Sequence, residues 1–310
     1  MLKFEQVIKE VDLNVDKLHL SRLACIFILL TSCYSTLAIA QEPGELVPAK
    51  SWGVGIAVGY GERTSPLVGV ENLSIWVLPE LYYYGERFYF DNGRLGWQLT
   101  DDPQWVWSLV SRINPERSYF SDRYLGNWLE DPFGAEEADT TRLTTHALSP
   151  SFIGGSAVGN VNVRSVSERD WSIDAGVQVD WYAGDGTHIR LDMFADALQR
   201  HGGFNSQLSI TQLITERLGT LSLRAELTYK SADLVDYYYG VTRNESALYA
   251  YEGEHSIEPA LGLAWHLPLN THWRILGLYK HTWLGQGIKD SPLTNEKAIQ
   301  TWFLGVGYRF

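Results

Sequence analysis

The chain has 310 residues and carries 25 Lys and Arg against 37 Asp and Glu, a net charge of −12. That length holds one large β domain or two ordinary domains, and an acidic surface argues against nucleic acid as a partner. Its two cysteines, Cys25 and Cys33, both lie within the first 40 residues.

The amino terminus reads as a signal peptide over residues 1–40. Lys17 and Arg22 precede the apolar run Leu23–Leu30, and the segment ends on the small-x-small tripeptide Ala38-Ile39-Ala40 that a signal peptidase accepts. The run is well short of the roughly 20 apolar residues that a spanning helix needs. The expected cut after Ala40 makes Gln41 the first mature residue and leaves no thiol. Leu30-Thr31-Ser32-Cys33 offers a competing lipoprotein cut that would lipidate Cys33. Residues 1–40 contain four basic and four acidic residues, so the mature segment 41–310 keeps the charge of −12. After residue 40 no stretch is apolar for long enough to span as a helix. A membrane crossing would therefore need a closed barrel, the only sheet that satisfies every backbone group in lipid.

Alternation supports that barrel. Strand side chains point to opposite faces in turn, so a lipid-facing strand reads apolar–polar over about 9–11 residues. From Gly219 to Lys230, Leu221, Leu223, Ala225, Leu227 and Tyr229 share one face, and Arg224 and Glu226 sit among polar residues on the other. Residues 171–182 split into Trp171, Ile173, Ala175, Val177, Val179 and Trp181 against a face that includes Asp174 and Asp180. The next segment sets Ile189, Leu191, Met193 and Ala195 against His188, Arg190, Asp192 and Asp196, with Phe194 as an exception suited to a narrow lumen.

Aromatic residues bracket these faces in the pairs Trp171/Trp181, Trp273/Trp283 and Trp302/Phe310. Their spacing corresponds to about 27–34 Å of strand, or about 20–26 Å of height at a tilt near 40°, the span between the two aromatic girdles of an outer-membrane barrel. Strands are predicted near 52–61, 74–91 (long, or broken at Gly85-Glu86), 94–100, 104–113, 152–165, 170–183, 187–197, 203–215, 218–230, 257–267, 271–284 and 297–310. Residues 114–150 read as loop. Twelve strands result, and fourteen if the long strand splits and another forms near 139–148. Tight turns at Asn92-Gly93, Gly184-Asp185-Gly186 and Pro268-Leu269-Asn270 alternate with longer polar links at 62–73, 231–256 and 285–297. Even strand parity puts both termini on the periplasmic side of the outer membrane of a Gram-negative bacterium. The fold class is thus all-β, a transmembrane antiparallel β-barrel.

The last strand puts Trp302, Leu304, Val306, Tyr308 and Phe310 on one face. A free aromatic end of this kind resembles the signal read by the outer-membrane assembly machinery, with Phe310 as its terminal element. The chain as a whole resembles the MipA/OmpV-like family, which includes the MltA-interacting proteins. The resemblance is carried by Trp52-Gly53-Val54-Gly55-Ile56-Ala57-Val58-Gly59-Tyr60, the stretch Leu78–Phe90, Tyr238-Tyr239-Gly240-Val241, Asp290-Ser291-Pro292-Leu293 and Gly307-Tyr308-Arg309-Phe310. Residues 114–150 depart from it, since the family passes more compactly into its middle strands. The resemblance implies an outer-membrane barrel in contact with lipid and lipopolysaccharide. It also implies a scaffold that links a lytic transglycosylase to a murein synthase or, alternatively, a small-solute porin, osmoregulated channel or adhesin. It brings no residue-level functional motif.

Catalysis has no foothold in the sequence. There is no His-Glu-x-x-His helix, no Gly-x-Ser-x-Gly elbow and no phosphate-cradling glycine loop, and neither a metal nor a cofactor is called for. The candidate lumen charges are Asp174, Asp180, Arg190, Asp192, Arg224, Glu226, Glu258, Arg274 and Lys280. Both signs are present, which favours a lumen knitted shut by ion pairs, such as Arg224 with a carboxylate on a neighbouring strand, over an open charged channel. The crowd Tyr237, Tyr238, Tyr239, Tyr249 and Tyr251 reads as upper girdle plus a folded loop, ahead of a glycan or protein contact surface.

Overall fold

A computed structural model describes residues 50–120, 161–184, 186–216 and 218–310. The expected signal peptide, Cys33 and most of the 114–150 link lie outside the described residues. Twelve antiparallel strands close on themselves in chain order: β1 (Ser51–Arg63), β2 (Leu73–Tyr84), β3 (Phe88–Asp91), β4 (Arg94–Gln98), β5 (Trp105–Ile113), β6 (Ile173–Gly184), β7 (Thr187–Asp196), β8 (Phe204–Glu216), β9 (Gly219–Lys230), β10 (Ser256–Pro268), β11 (Trp273–Trp283) and β12 (Ala298–Arg309). β12 pairs with β11 on one side and β1 on the other, from Gly55 opposite Arg309 to Arg63 opposite Thr301. Closure leaves the wall without a free first or last strand.

The expected total of twelve stands through two compensating differences. The long segment 74–91 is two strands, because Gly85-Glu86-Arg87 turns the chain and β3 pairs back onto Tyr82–Tyr84. Of the strand expected at 152–165, only residues 161–165 are described, and they are not part of the wall. β5 pairs directly with β6 over nine residues, so no strand fits between them, and Val163–Ser165 forms a short 3-10 turn. The possible strand near 139–148 lies outside the described residues. Hydrophobic residues at 161–166 alternate for a different reason: Val161, Val163 and Val166 pack into a loop core.

The two faces of the wall differ as the period-two pattern requires. Outward positions carry Val58, Trp97, Trp107, Leu109, Met193, Leu227, Leu263, Leu304 and Val306, all at least 40% exposed. An apolar belt of that extent on a closed sheet is a lipid-facing surface. Aromatic residues mark its rims. Tyr60, Trp76 and Trp302 cluster at one end, while at the other end Trp105 stacks on Trp181 at 5.2 Å and Trp273 meets Tyr308.

The ends are unequal. On the side of the two chain ends of the barrel, every link is a turn of a few residues. Between β10 and β11, Asn270 caps the turn by accepting from the His272 and Trp273 backbone N–H groups. On the opposite side most links are long and fold. The exception is the β3–β4 turn, where Asn92 and Gly93 take φ values of 41° and 91°, the left-handed pair that a two-residue hairpin demands.

Candidate functional site

The long links fold together over one mouth of the barrel. The link after β9 forms α1 (Ala232–Tyr239), whose buried residues Leu234, Val235, Tyr238 and Tyr239 recur at helical spacing. The link after β11 forms the single turn α2 (Gln286–Lys289), with Ile288 buried. These pack with Leu67 from the β1–β2 link, Val161 and Leu293 into one apolar core, and Tyr119 and Phe120 lie against it. The tyrosine crowd is therefore split. Tyr238 and Tyr239 are fully buried in this cap and belong to no girdle, whereas Tyr249 is 41% exposed.

Glu245 anchors the cap's outer edge. It accepts from the Thr242 and Ser167 backbone N–H groups and the Thr242 hydroxyl, all at 2.8–2.9 Å, and pairs with Arg169 at 3.2 Å. Burial pushes its carboxyl up, but those donors outweigh burial and hold the pKa down at about 2. A depressed folded pKa stabilises fully above the ordinary carboxylate range near 4.5, and that contribution is lost as pH falls toward 2. Hydrogen exchange at the Thr242–Ser246 amides should thus lose protection between about pH 5 and pH 2, and Glu245→Gln should flatten that dependence. Equal pH profiles for the two proteins would refute the assignment.

Under the cap, the 3-10 helix Pro115–Phe120 carries Glu116 to the top of the lumen. Lys230, at the end of β9, binds Glu116 at 2.6 Å and Glu258 of β10 at 2.9 Å. Tyr239 donates to Glu116 at 2.7 Å, and burial together with this carboxylate raises the Tyr239 phenol far above its usual range, which keeps it a donor. One lysine thus ties a loop helix, the cap and two strands.

Lower down, paired charges cross the lumen in tiers. Asp174 is wholly buried and accepts from Asn114 and Asn205, with Arg112 and His201 at 4.0 and 3.4 Å. Arg112 also lies over the Phe194 ring at 4.2 Å, which accounts for the one aromatic on the polar face of β7. Asp192 pairs with Arg94 at 3.0 Å. Asp180 binds Arg190 at 2.7 Å and His188 at 2.8 Å. Glu226 takes Lys280 at 2.6 Å and Arg224 at 3.8 Å, and Arg274 reaches Glu80 at 3.3 Å. All nine charges singled out from the sequence face inward. Asp174, Asp180, Asp192, Arg224, Glu226 and Glu258 are each at most 8% exposed.

Arg224 makes contacts on its own strand and across to the next. It lies 3.8 Å from Glu226 of β9 and donates from Nε to the Thr211 hydroxyl of β8 at 2.8 Å. Sequence reasoning missed Glu80, Arg94, Arg112, Asn114, Glu116 and Lys230. Lys230 was visible on the polar face of β9. Glu116, in a loop, gave no periodic signal.

Comparison with known proteins adds a family and named relatives. The model of the family described as MltA-interacting protein MipA matches residues 54–310. Outer membrane protein OmpV of Vibrio cholerae is 28% identical over 202 residues, covering 64% of this chain and 74% of OmpV. Outer membrane protein Omp26La of Vibrio anguillarum is 30% identical over 204 residues, 64% of this chain and 74% of its own. The MltA-interacting protein of Escherichia coli K12 is 25% identical over 175 residues, 55% of this chain and 70% of its own.

Proposed function

Because the chain belongs to the MltA-interacting protein MipA family, we propose that it is a non-enzymatic outer-membrane barrel that works through its surfaces, as a scaffold for murein-cleaving and murein-synthesising enzymes. The observation that carries this reading is the filled lumen. Charges lining a water-filled channel would be open to solvent, whereas six of the nine here are at most 8% exposed and held in ion pairs and hydrogen bonds under a folded cap. A lumen filled in this way leaves the outer surfaces as the place where the protein would act.

The asymmetry of the links supports placing both termini and the short turns in the periplasm, with the cap outside. That placement narrows the docking surface. The link after β5 leaves from the capped end, which would be the wrong side for a murein enzyme. The turns at 85–87 and 99–104 remain, joined by the Arg87–Asp101 ion pair at 2.8 Å. The relative named for its interaction with MltA supports a lytic transglycosylase as one partner. Lipid and lipopolysaccharide would cover the apolar belt.

Two measurements test the proposal. The refolded protein in planar bilayers should be electrically silent, and crosslinking in intact envelopes should recover a lytic transglycosylase or murein synthase. Reproducible conductance steps that change when Arg224 or Arg274 is neutralised would make the protein a channel instead.

A further inference from the structure

Two buried carboxylates share one ammonium at the capped mouth. Every oxygen of the pair is used: Glu116 accepts from Lys230 and from the Tyr239 hydroxyl, and Glu258 accepts from Lys230 and from the Ser256 hydroxyl at 3.0 Å. Glu116, Lys230 and Glu258 are at most 7% exposed, and Tyr239 and Ser256 are wholly covered. Among the described residues no second cation comes within ion-pair distance of either carboxylate. With both carboxylates ionised, the cluster therefore holds one negative charge in excess, away from water.

The other charged and titratable groups around it do not cancel that excess. Tyr119 of the 3-10 helix and Tyr238 of α1 contribute phenols packed in the cap core. Arg63 of β1 lies over the Tyr119 ring at 4.3 Å and not against either carboxylate. Beneath the cluster, Asp174 of β6 and Asp196 of β7 flank His201, and Arg112 of β5 stands 4.0 Å from Asp174.

We propose that this cluster is a one-proton latch on the cap, which fills in mild acid. A proton on either carboxylate removes the excess charge and the repulsion between the two, and leaves Lys230 paired with the other. Loss of that proton restores two like charges around one ammonium. Glu258 is fixed in β10, whereas Glu116 rides on the 3-10 helix Pro115–Phe120, so the helix is the part that yields. Its start is held separately, because Asn114 accepts the Glu116 backbone N–H at 3.0 Å and donates to Asp174. Its end reaches the cap, where Phe120 packs on Tyr238 and Tyr239 at 6.1 and 5.8 Å. A proton bound by the docked cluster and released on undocking favours the docked helix at low pH, and this contribution fades as pH rises. The sign is opposite to that of Glu245, whose contribution is lost only between about pH 5 and pH 2, so the two windows do not overlap. The latch does not depend on the scaffold role, which uses the opposite end of the barrel.

The test is hydrogen exchange of the refolded protein, expressed as protection relative to intrinsic exchange. It is read at the amides of residues 116–120, with those of β9 and β10 as the reference. From pH 8 to pH 5, protection at 116–120 should rise about tenfold against the reference, the effect of about one unit of proton linkage. Glu258→Gln puts a neutral isostere in the cluster and should abolish that rise. Glu116→Gln should do the same, and serves as the second reading if the first variant does not reach the heat-modifiable folded form. Flat or falling protection in the parent over this range would overturn the proposal, as would an undiminished rise in a folded glutamine variant.

Discussion

Replacing Lys230 with methionine is expected to destabilise the capped end of the barrel by about 3–5 kcal/mol, the usual cost of stripping the partner from a buried charge. The substitution keeps the aliphatic stem and removes the ammonium that Glu116 and Glu258 share at 2.6 and 2.9 Å. Two buried carboxylates then face each other without a cation. Glu258 is fixed in β10, but Glu116 rides on a 3-10 helix in a loop. The least costly relief is for residues 115–120 to leave the lumen. Hydrogen exchange should show those amides unprotected while the strands stay protected, and the urea midpoint should fall. Adding Glu116→Gln and Glu258→Gln should recover much of the loss, since the three side chains form one unit and their effects cannot add. An unchanged midpoint with residues 115–120 still protected would remove Lys230 from this role.

Deleting Phe310 is expected to reduce folded barrel in the outer-membrane fraction several-fold. Phe310 donates its backbone N–H to the Val54 carbonyl at 3.0 Å and sets its ring edge-on to Tyr308 at 5.0 Å, so it extends both the closing seam and the aromatic rim. Its side chain is 76% exposed on the outer face, where assembly machinery could read it. The control is deletion of Leu248, even more exposed at 88% but in the link after α1. Equal yields of heat-modifiable protein from the two deletions would show that the terminal aromatic is neither seam nor signal.

The strands were legible because a barrel wall has two chemically opposite faces, and the period-two pattern records which residue meets lipid. β6, β7 and β9 follow from that alone, down to the inward Phe194, for which Arg112 now supplies the reason. The cap was less legible. Its residues answer to contacts between links far apart in sequence, as when Val161 donates its N–H to Pro292. Apolar alternation near 161–166 therefore imitated a strand. One signal was available and went unused: Leu234, Val235, Tyr238 and Tyr239 repeat at helical rather than strand spacing, which marks α1 and separates these tyrosines from the girdle. The hub at Lys230 was half visible, because β9 declared the lysine inward while its loop partner Glu116 had no pattern to declare it.

The tiers of lumen charge also act on the alignment of the wall. In a strand with side chains of period two, sliding by a single residue exchanges the two faces completely. If β7 slipped by one position against β6, Arg190, Asp192 and His188 would turn from the lumen toward hydrocarbon, while Ile189, Leu191 and Met193 would enter a polar interior. An arginine on the lipid face near the bilayer midplane costs about 2–4 kcal/mol, and Asp180 would lose its partner besides. β6, β8 and β9 carry inward polar or charged groups of their own, so each seam in that half of the wall penalises misalignment separately. The ion pairs thereby serve as a proofreading device for strand register, rejecting shifted barrels whose backbone hydrogen bonds would be as numerous as those of the correct one.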